Sequence, residues 1–119
     1  MIAVVDDEES VRKAVVRVLR AAGFAARAFA SGTEFLESWH FDRPDCLILD
    51  LLMPGLSGTE VQLSLRMAGA TFPIVIITAH DSPSLREECM GAGAVDYLCK
   101  PLDIRALVGA VSQVVPPAS

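Results

Sequence analysis

Five short apolar runs alternate with longer stretches in which apolar residues recur every three or four positions. The runs are Ile2 to Asp6, Ala25 to Phe29, Cys46 to Asp50, Pro73 to Thr78 and Val95 to Cys99. The first, third and fourth are almost wholly apolar, as strands covered on both faces must be. The second is weaker and carries Arg27, which places it at an edge. Between the runs, Val11, Val15, Val18, Leu19 and Ala22 share one helical face, and Gly23-Phe24 reads as a helix stop with its apolar contact. Two later helices open on the same letters, Ser31-Gly32-Thr33-Glu34 and Ser57-Gly58-Thr59-Glu60, each spaced as a capping box. A fourth starts at Ser82 with Pro83 in its first turn and ends near Gly91 or Gly93. The last starts at Asp103 and lines up Ile104, Leu107, Val108, Val111 and Val115 on one face.

A strand and helix repeated five times predicts an α/β fold, a doubly wound five-stranded parallel sheet with helices on both faces. At 119 residues the chain is one domain's length and buries roughly two-thirds of its unfolded surface. Residues 1–115 are assigned to that domain. Pro116-Pro117-Ala118-Ser119, residues 116–119, reads equally as a terminus or as the start of a linker.

Composition narrows the function. Apolar residues make up 52% and charged residues 21%, but Gly, Pro or polar residues break every long uncharged stretch, so no membrane span is expected. Ten basic against fifteen acidic residues leave a formal charge of -5, which argues against direct nucleic acid binding by this segment. Cys46, Cys89 and Cys99 form an odd set without metal spacing and fit reduced, mostly buried thiols in a cytoplasm. Met1 leads straight into a strand without a charged leader or cleavage site, and no export is expected.

In an open parallel sheet ligands bind beyond the carboxyl ends of the strands. Here the first strand ends in Asp6-Asp7-Glu8-Glu9, the third in Asp50 and the fourth in Thr78, while the fifth runs into Lys100-Pro101. Each residue alone has an ordinary explanation as a helix cap or a solvated charge. Several carboxylates, a hydroxyl and an ammonium at matching strand ends do not. Clustered carboxylates repel unless a cation compensates. An oxygen-only site without His or Cys suits Mg²⁺, beside which a carboxylate can attack a phosphoryl donor to give an aspartyl phosphate.

Asp6-Asp7, Asp50, Met53-Pro54-Gly55 with Ser57-Gly58, Thr78-Ala79 and Lys100-Pro101 together resemble the ordered motif set of response-regulator receiver domains of two-component systems. The likeness covers almost the entire chain. Val5-Asp6-Asp7-Glu8-Glu9 and Gly91-Ala92-Gly93-Ala94-Val95-Asp96-Tyr97 most resemble the FixJ-like branch, whose members usually carry a DNA-binding output domain beyond the C-terminus. The resemblance implies a CheY-like, flavodoxin-like (βα)5 fold with strand order 2-1-3-4-5. It implies Asp50 as phosphoacceptor, Asp7 as a direct Mg²⁺ ligand, Asp6 as a ligand chiefly through water and the Leu52 backbone carbonyl as a third protein ligand. Lys100 is implied to pair with the carboxylate before phosphorylation and with a phosphoryl oxygen afterward, and Pro101 to follow a cis peptide bond that aims Lys100 inward. Thr78 is implied to donate its hydroxyl to the phosphoryl group, leaving room for Tyr97 to turn from exposed to buried. The helix four, strand five and helix five surface then reports the change to an output domain or partner. The phosphoryl source is implied to be a sensor histidine kinase. The chain itself is then a regulatory phosphoacceptor that assists its own phosphorylation and dephosphorylation, without being an enzyme in the ordinary sense.

Weaker signals remain. Leu52 and His80 flank the expected phosphoryl position and could tune its lifetime, or His80 is a plain loop residue. The outward side of the last helix, Ala106, Gly109, Ala110, Ser112 and Gln113, is small and neutral, which permits a phosphorylation-dependent homodimer or simply forms a helix back. Two rival functions were weighed. A flavodoxin-like FMN protein needs an amide-rich phosphate loop where this chain has Asp7-Glu8-Glu9. A Mg²⁺-dependent phosphohydrolase working through an aspartyl phosphate needs an acid two residues after the nucleophile, where this chain has Leu52.

Overall fold

The computed structural model describes residues 1–116, so Pro117, Ala118 and Ser119 of the expected tail lie outside the described residues. Along the chain run β1 (Ile2–Val5), α1 (Glu9–Ala21), β2 (Ala26–Phe29), α2 (Gly32–Ser38), β3 (Cys46–Asp50), α3 (Gly58–Met67), β4 (Ile74–Thr78), α4 (Pro83–Gly91), β5 (Asp96–Cys99) and α5 (Ile104–Ser112). The five strands form one parallel sheet in the order β2-β1-β3-β4-β5. This is the anticipated doubly wound topology, with charged β2 at an edge. Among the described residues no helix is long and apolar enough to cross a membrane.

Because successive strand residues face opposite sides, the apolar strands feed two separate cores. Ala3 and Val5 of β1, Leu47 and Leu49 of β3 and Ile76 of β4 pack beneath α2, α3 and α4. Ile2, Val4, Ile48, Val75 and Ile77 pack beneath α1 and α5. On the first side Phe29, Phe35, Trp39 and Phe72 meet edge to face with centroids 5.2–6.2 Å apart. Trp39, to which the sequence assigned no chemistry, is thus a core side chain.

Several boundaries differ from the sequence reading. β1 stops before Asp6, whose Oδ1 accepts the Glu8 N–H at 2.9 Å and turns the chain off the sheet. Ala25, Pro73 and Val95 precede their strands. The α3 cap is a complete capping box, but at α2 the Glu34 carboxylate accepts from Ala30 N–H, one residue too early, and only the Ser31 half forms. α5 ends at Ser112, yet Val115 beyond it is still buried. Ile104, expected inside, is 60% exposed because it is the first helical residue after the Asp103 cap, whereas Ala110, expected outside, is buried. Cys46 and Cys89 are buried but Cys99 is exposed.

One glycine holds the site's floor. A β-carbon on Gly58, the first residue of α3, would stand 2.5 Å from the Asp50 carbonyl oxygen and 2.7 Å from Leu51 Cα. The neighbouring atoms are backbone and cannot swing away. The Gly58 N–H also donates to the Leu51 carbonyl at 2.8 Å, stapling the start of α3 to the end of β3. Gly58→Ala should therefore lower stability by about 1–3 kcal/mol, the cost of overpacking a tight contact, measured as the urea midpoint of a protein whose far-ultraviolet spectrum is unchanged. A midpoint equal to wild type would show that the approach is looser than described.

Candidate functional site

The carboxyl ends of β1, β3, β4 and β5 converge, as the strand order requires. Asp6 and Asp7 follow β1, Asp50 is the last residue of β3, Thr78 the last of β4, and Lys100 follows Cys99 at the end of β5. One carboxylate oxygen from each of Asp6, Asp7 and Asp50 lies within 4.8 Å of the others. Asp6 and Asp50 are buried, while Asp7 is exposed and caps the cluster from outside. The Lys100–Pro101 peptide is cis.

Lys100 is the counter-charge. Its Nζ stands 2.8 Å from Asp6 Oδ2, 3.5 Å from Asp50 Oδ1 and 3.7 Å from Glu8 Oε1. Its nearest carboxylate is therefore Asp6, whereas the family resemblance pointed to Asp50. Asp6 is held for that role by the turn through Glu8 N–H and by Arg12, whose guanidinium donates to the Asp6 carbonyl at 2.8 Å. Burial alone would lower the pKa of Lys100, but Asp6, Asp50 and Glu8 outweigh it and hold the ammonium above its usual value. Asp50 moves the other way relative to an ordinary acid. Its burial, then the Asp6 charge, push its pKa up to about 7, with Lys100 opposing and Asp7 adding to the rise.

One ammonium cannot balance three close carboxylates. The residues fit a hard cation on a direct observation. Asp6 Oδ2 is sealed from water and has the Lys100 ammonium at 2.8 Å as its partner, which leaves three close carboxylate groups sharing one cation. A buried carboxylate oxygen so placed, with two more acids alongside and no nitrogen or sulfur donor, matches a small oxygen-preferring divalent ion. Leu52 lies in the loop just past Asp50, its side chain half exposed, while Leu51 is buried in the core.

On the other flank, Thr78 is fully buried. Its Oγ1 accepts the His80 N–H at 3.0 Å and lies 3.4 Å from the His80 carbonyl. That same carbonyl accepts the Tyr97 hydroxyl at 3.4 Å. Tyr97 is thus in its inward position here, not the exposed one from which the resemblance has it turn, and Arg86 of α4 lies over its ring at 5.6 Å. His80 is exposed and engages its neighbours through its backbone.

Two residues that the sequence reading gave no part prove to be structural supports. Arg12 steadies Asp6. Gln62, buried in α3, donates from Nε2 to the Cys89 carbonyl of α4 at 3.0 Å. A polar letter in the apolar stripe Val61-Gln62-Leu65 was the available signal.

Comparison with known proteins agrees with this geometry. A family model described as response regulator receiver domain matches residues 2–112. Response regulator MprA of Mycobacterium ulcerans is 44% identical over 107 residues, which cover 90% of this chain and 46% of the relative. The chain spans about half the length of the curated relatives it matches. Among solved structures, chemotaxis protein CheY4 of Vibrio cholerae superposes with a TM-score of 0.88 at 31% identity, covering 96% of this chain and 97% of that one. The structure titled FixJ-N gives 0.88 at 34% identity, over 95% and 90% of the two chains. Response regulator StyR gives 0.84 at 40% identity, over 95% of this chain but 57% of that one.

The raised pKa of Asp50 has a definite sign for stability. The folded protein holds that proton more tightly than the unfolded chain, so this group lowers stability as pH rises from about 4 towards 7. Asp50→Asn removes the effect. Without divalent ions the variant should melt above wild type by roughly 3–10 °C at pH 8, with the gap narrowing as pH falls through about 7 and gone near 4. Mg²⁺ should raise the wild-type melting temperature more than the variant's. Calorimetry across pH, with chelator and with Mg²⁺, checks both. Equal melting at pH 8 would mean that the carboxylates do not repel.

Proposed function

Because the chain belongs to the response regulator receiver domain family, we propose that it accepts a phosphoryl group on Asp50 from a sensor histidine kinase and reports the change through its α4–β5–α5 surface. The observation that carries this reading is the meeting of Asp6, Asp7 and Asp50 oxygens within 4.8 Å under a lysine that reaches two of them.

Asp50 is the nucleophile. One carboxylate oxygen forms a bond to phosphorus as the bond from phosphorus to the donor breaks, and the donor leaves with the electron pair. Asp6, Asp7, Asp50 and the Leu52 carbonyl would hold a Mg²⁺ ion, which would supply charge neutralisation for the transferring oxygens. Lys100 already bridges Asp6 and Asp50, so a small movement lets it follow charge from the carboxylate to a phosphoryl oxygen. Lys100 opposes the rise in the Asp50 pKa that burial and the Asp6 charge cause, yet that pKa still stands at about 7, so further positive charge at the site would favour the ionised nucleophile.

Thr78 supplies the link outward. Its hydroxyl is engaged with the His80 backbone, and transferring it to a phosphoryl oxygen pulls on the loop that also anchors the Tyr97 hydroxyl. The same machinery assists phosphorylation and later loss of the phosphoryl group to water, which makes the chain a regulatory phosphoacceptor. An output domain beyond the C-terminus, DNA-binding in kind, and a phosphorylation-dependent homodimer through the small exposed side of α5 (Ala106, Gly109, Ser112, Gln113) belong to the same proposal, as does residence in the cytoplasm. The phosphohydrolase and flavin readings gain nothing: Leu52 stands where the hydrolase acid is needed, and Asp7 and Glu8 occupy the loop that a flavin phosphate requires.

Incubation with acetyl phosphate and Mg²⁺ should add the mass of one phosphoryl group, and Asp50→Asn should abolish the gain. Lys100→Ala should slow it by roughly 10²-fold or more, in keeping with loss of one charge-stabilising group. A gain that persists in Asp50→Asn by intact mass would overturn the assignment.

A further inference from the structure

α4 is tied down unequally. Of its nine residues only Cys89 is fully buried, with Leu85 partly so. Its first turn is capped by Ser82, whose Oγ accepts the Leu85 N–H at a long 3.4 Å. Its last turn is closed far more firmly. Gly93, at φ +103°, allows Gly93 N–H to reach the Met90 carbonyl at 3.0 Å and Ala94 N–H to reach the Cys89 carbonyl at 3.1 Å, the paired bonds of a Schellman stop. Onto that same Cys89 carbonyl Gln62 donates at 3.0 Å, using the acceptor's second lone pair.

The surroundings of Gln62 give this bond its weight. Two clefts border α3 and α4, one of about 300 Å³ lined by Leu65, Phe72 and Gly93 and one of about 250 Å³ lined by Leu63 and Glu88. The Gln62 side chain borders both. Where two helices are bordered by open space, a buried amide crossing between them fixes their relation at one point, and a buried polar group is costly to leave without its partner. One turn before Cys89, Arg86 over Tyr97 ties the N-terminal half of α4 to the residues expected to move.

We propose that Gln62 is a positioning residue of the switch, pinning the C-terminal turn of α4 to α3 so that the helix pivots there and only its N-terminal half moves with Tyr97. The motion rests on the receiver reading above; the pin itself does not.

Hydrogen exchange on the full chain tests the two parts separately. In wild type, protection should rise along α4 toward its C-terminal turn. Gln62→Leu should speed exchange of the amides from Glu88 to Ala94 about five- to tenfold, the effect of losing one neutral hydrogen bond, while β1 and β3 amides keep their rates. Gln62→Met, which keeps length but not the donor, should do the same and guards against a packing artefact of leucine. Unchanged amides at 88–94, or an acceleration shared by the whole sheet, would overturn the pin. With Mg²⁺ and beryllofluoride as the phosphoryl mimic, wild-type changes should stop before Glu88, and in Gln62→Leu they should run through Ala94. Identical limits in the two proteins, or wild-type changes already reaching Ala94, would overturn the pivot. A silent response to beryllofluoride in both proteins would count against the receiver reading instead, with the first comparison still deciding the pin.

Discussion

Three carboxylates held within a few ångströms of one another, two of them out of water, with one ammonium to answer them, are the constraint to which the rest of this molecule is fitted. The parallel sheet creates it by ending β1 and β3 side by side. Once the charges are there, everything nearby acts to hold or offset them. The turn from Asp6 to Glu8 and the Arg12 guanidinium fix one acid, the Gly58 contact fixes the backbone of another, and the cis peptide at Pro101 carries Lys100. The arrangement is short of positive charge and rich in oxygen, the chemistry of a group of side chains that could hold a metal ion.

Much of this was legible in the sequence because both the strands and their ends obey simple rules. Strands buried on two faces must be apolar throughout, so Ile2 to Val5, Cys46 to Leu49 and Ile74 to Ile77 announce themselves, and a parallel sheet then dictates that Asp6, Asp50, Thr78 and Lys100 share one edge. Caps at Ser57 and Ser82 were equally plain, since they rest on backbone chemistry local to a few residues, while the stop at Gly93 stood open against Gly91. What could not be read depends on distances between elements. Whether Lys100 lies nearer Asp6 or Asp50 is decided by under an ångström of packing. Ile104 and Ala110 were placed on the wrong sides because helical phase alone does not say how α5 is rolled against the sheet. Gln62 was missed because a polar residue in an apolar stripe announces a partner without naming it.

The path from the site to the surface is short and made of backbone. Thr78 and Tyr97 both meet the His80 backbone, one at its N–H and carbonyl, the other at its carbonyl. A single peptide unit therefore stands between the reacting pocket and an aromatic ring that in turn lies under Arg86. The identity of the His80 side chain matters little to such a link, whereas the freedom of its loop to shift matters a great deal.

The division of the apolar strand residues into two cores has a meaning for how such a molecule can be two things at once. Tyr97 belongs to the layer beneath α2, α3 and α4, while its neighbour Leu98 packs against the layer of α1 and α5. The sheet is thus a partition wall, and a rearrangement in one room need not be heard in the other. A side chain changed beneath α2, α3 and α4 meets one set of neighbours, and one changed beneath α1 and α5 meets another. Each layer of helices can therefore be repacked against its own face of the five strands.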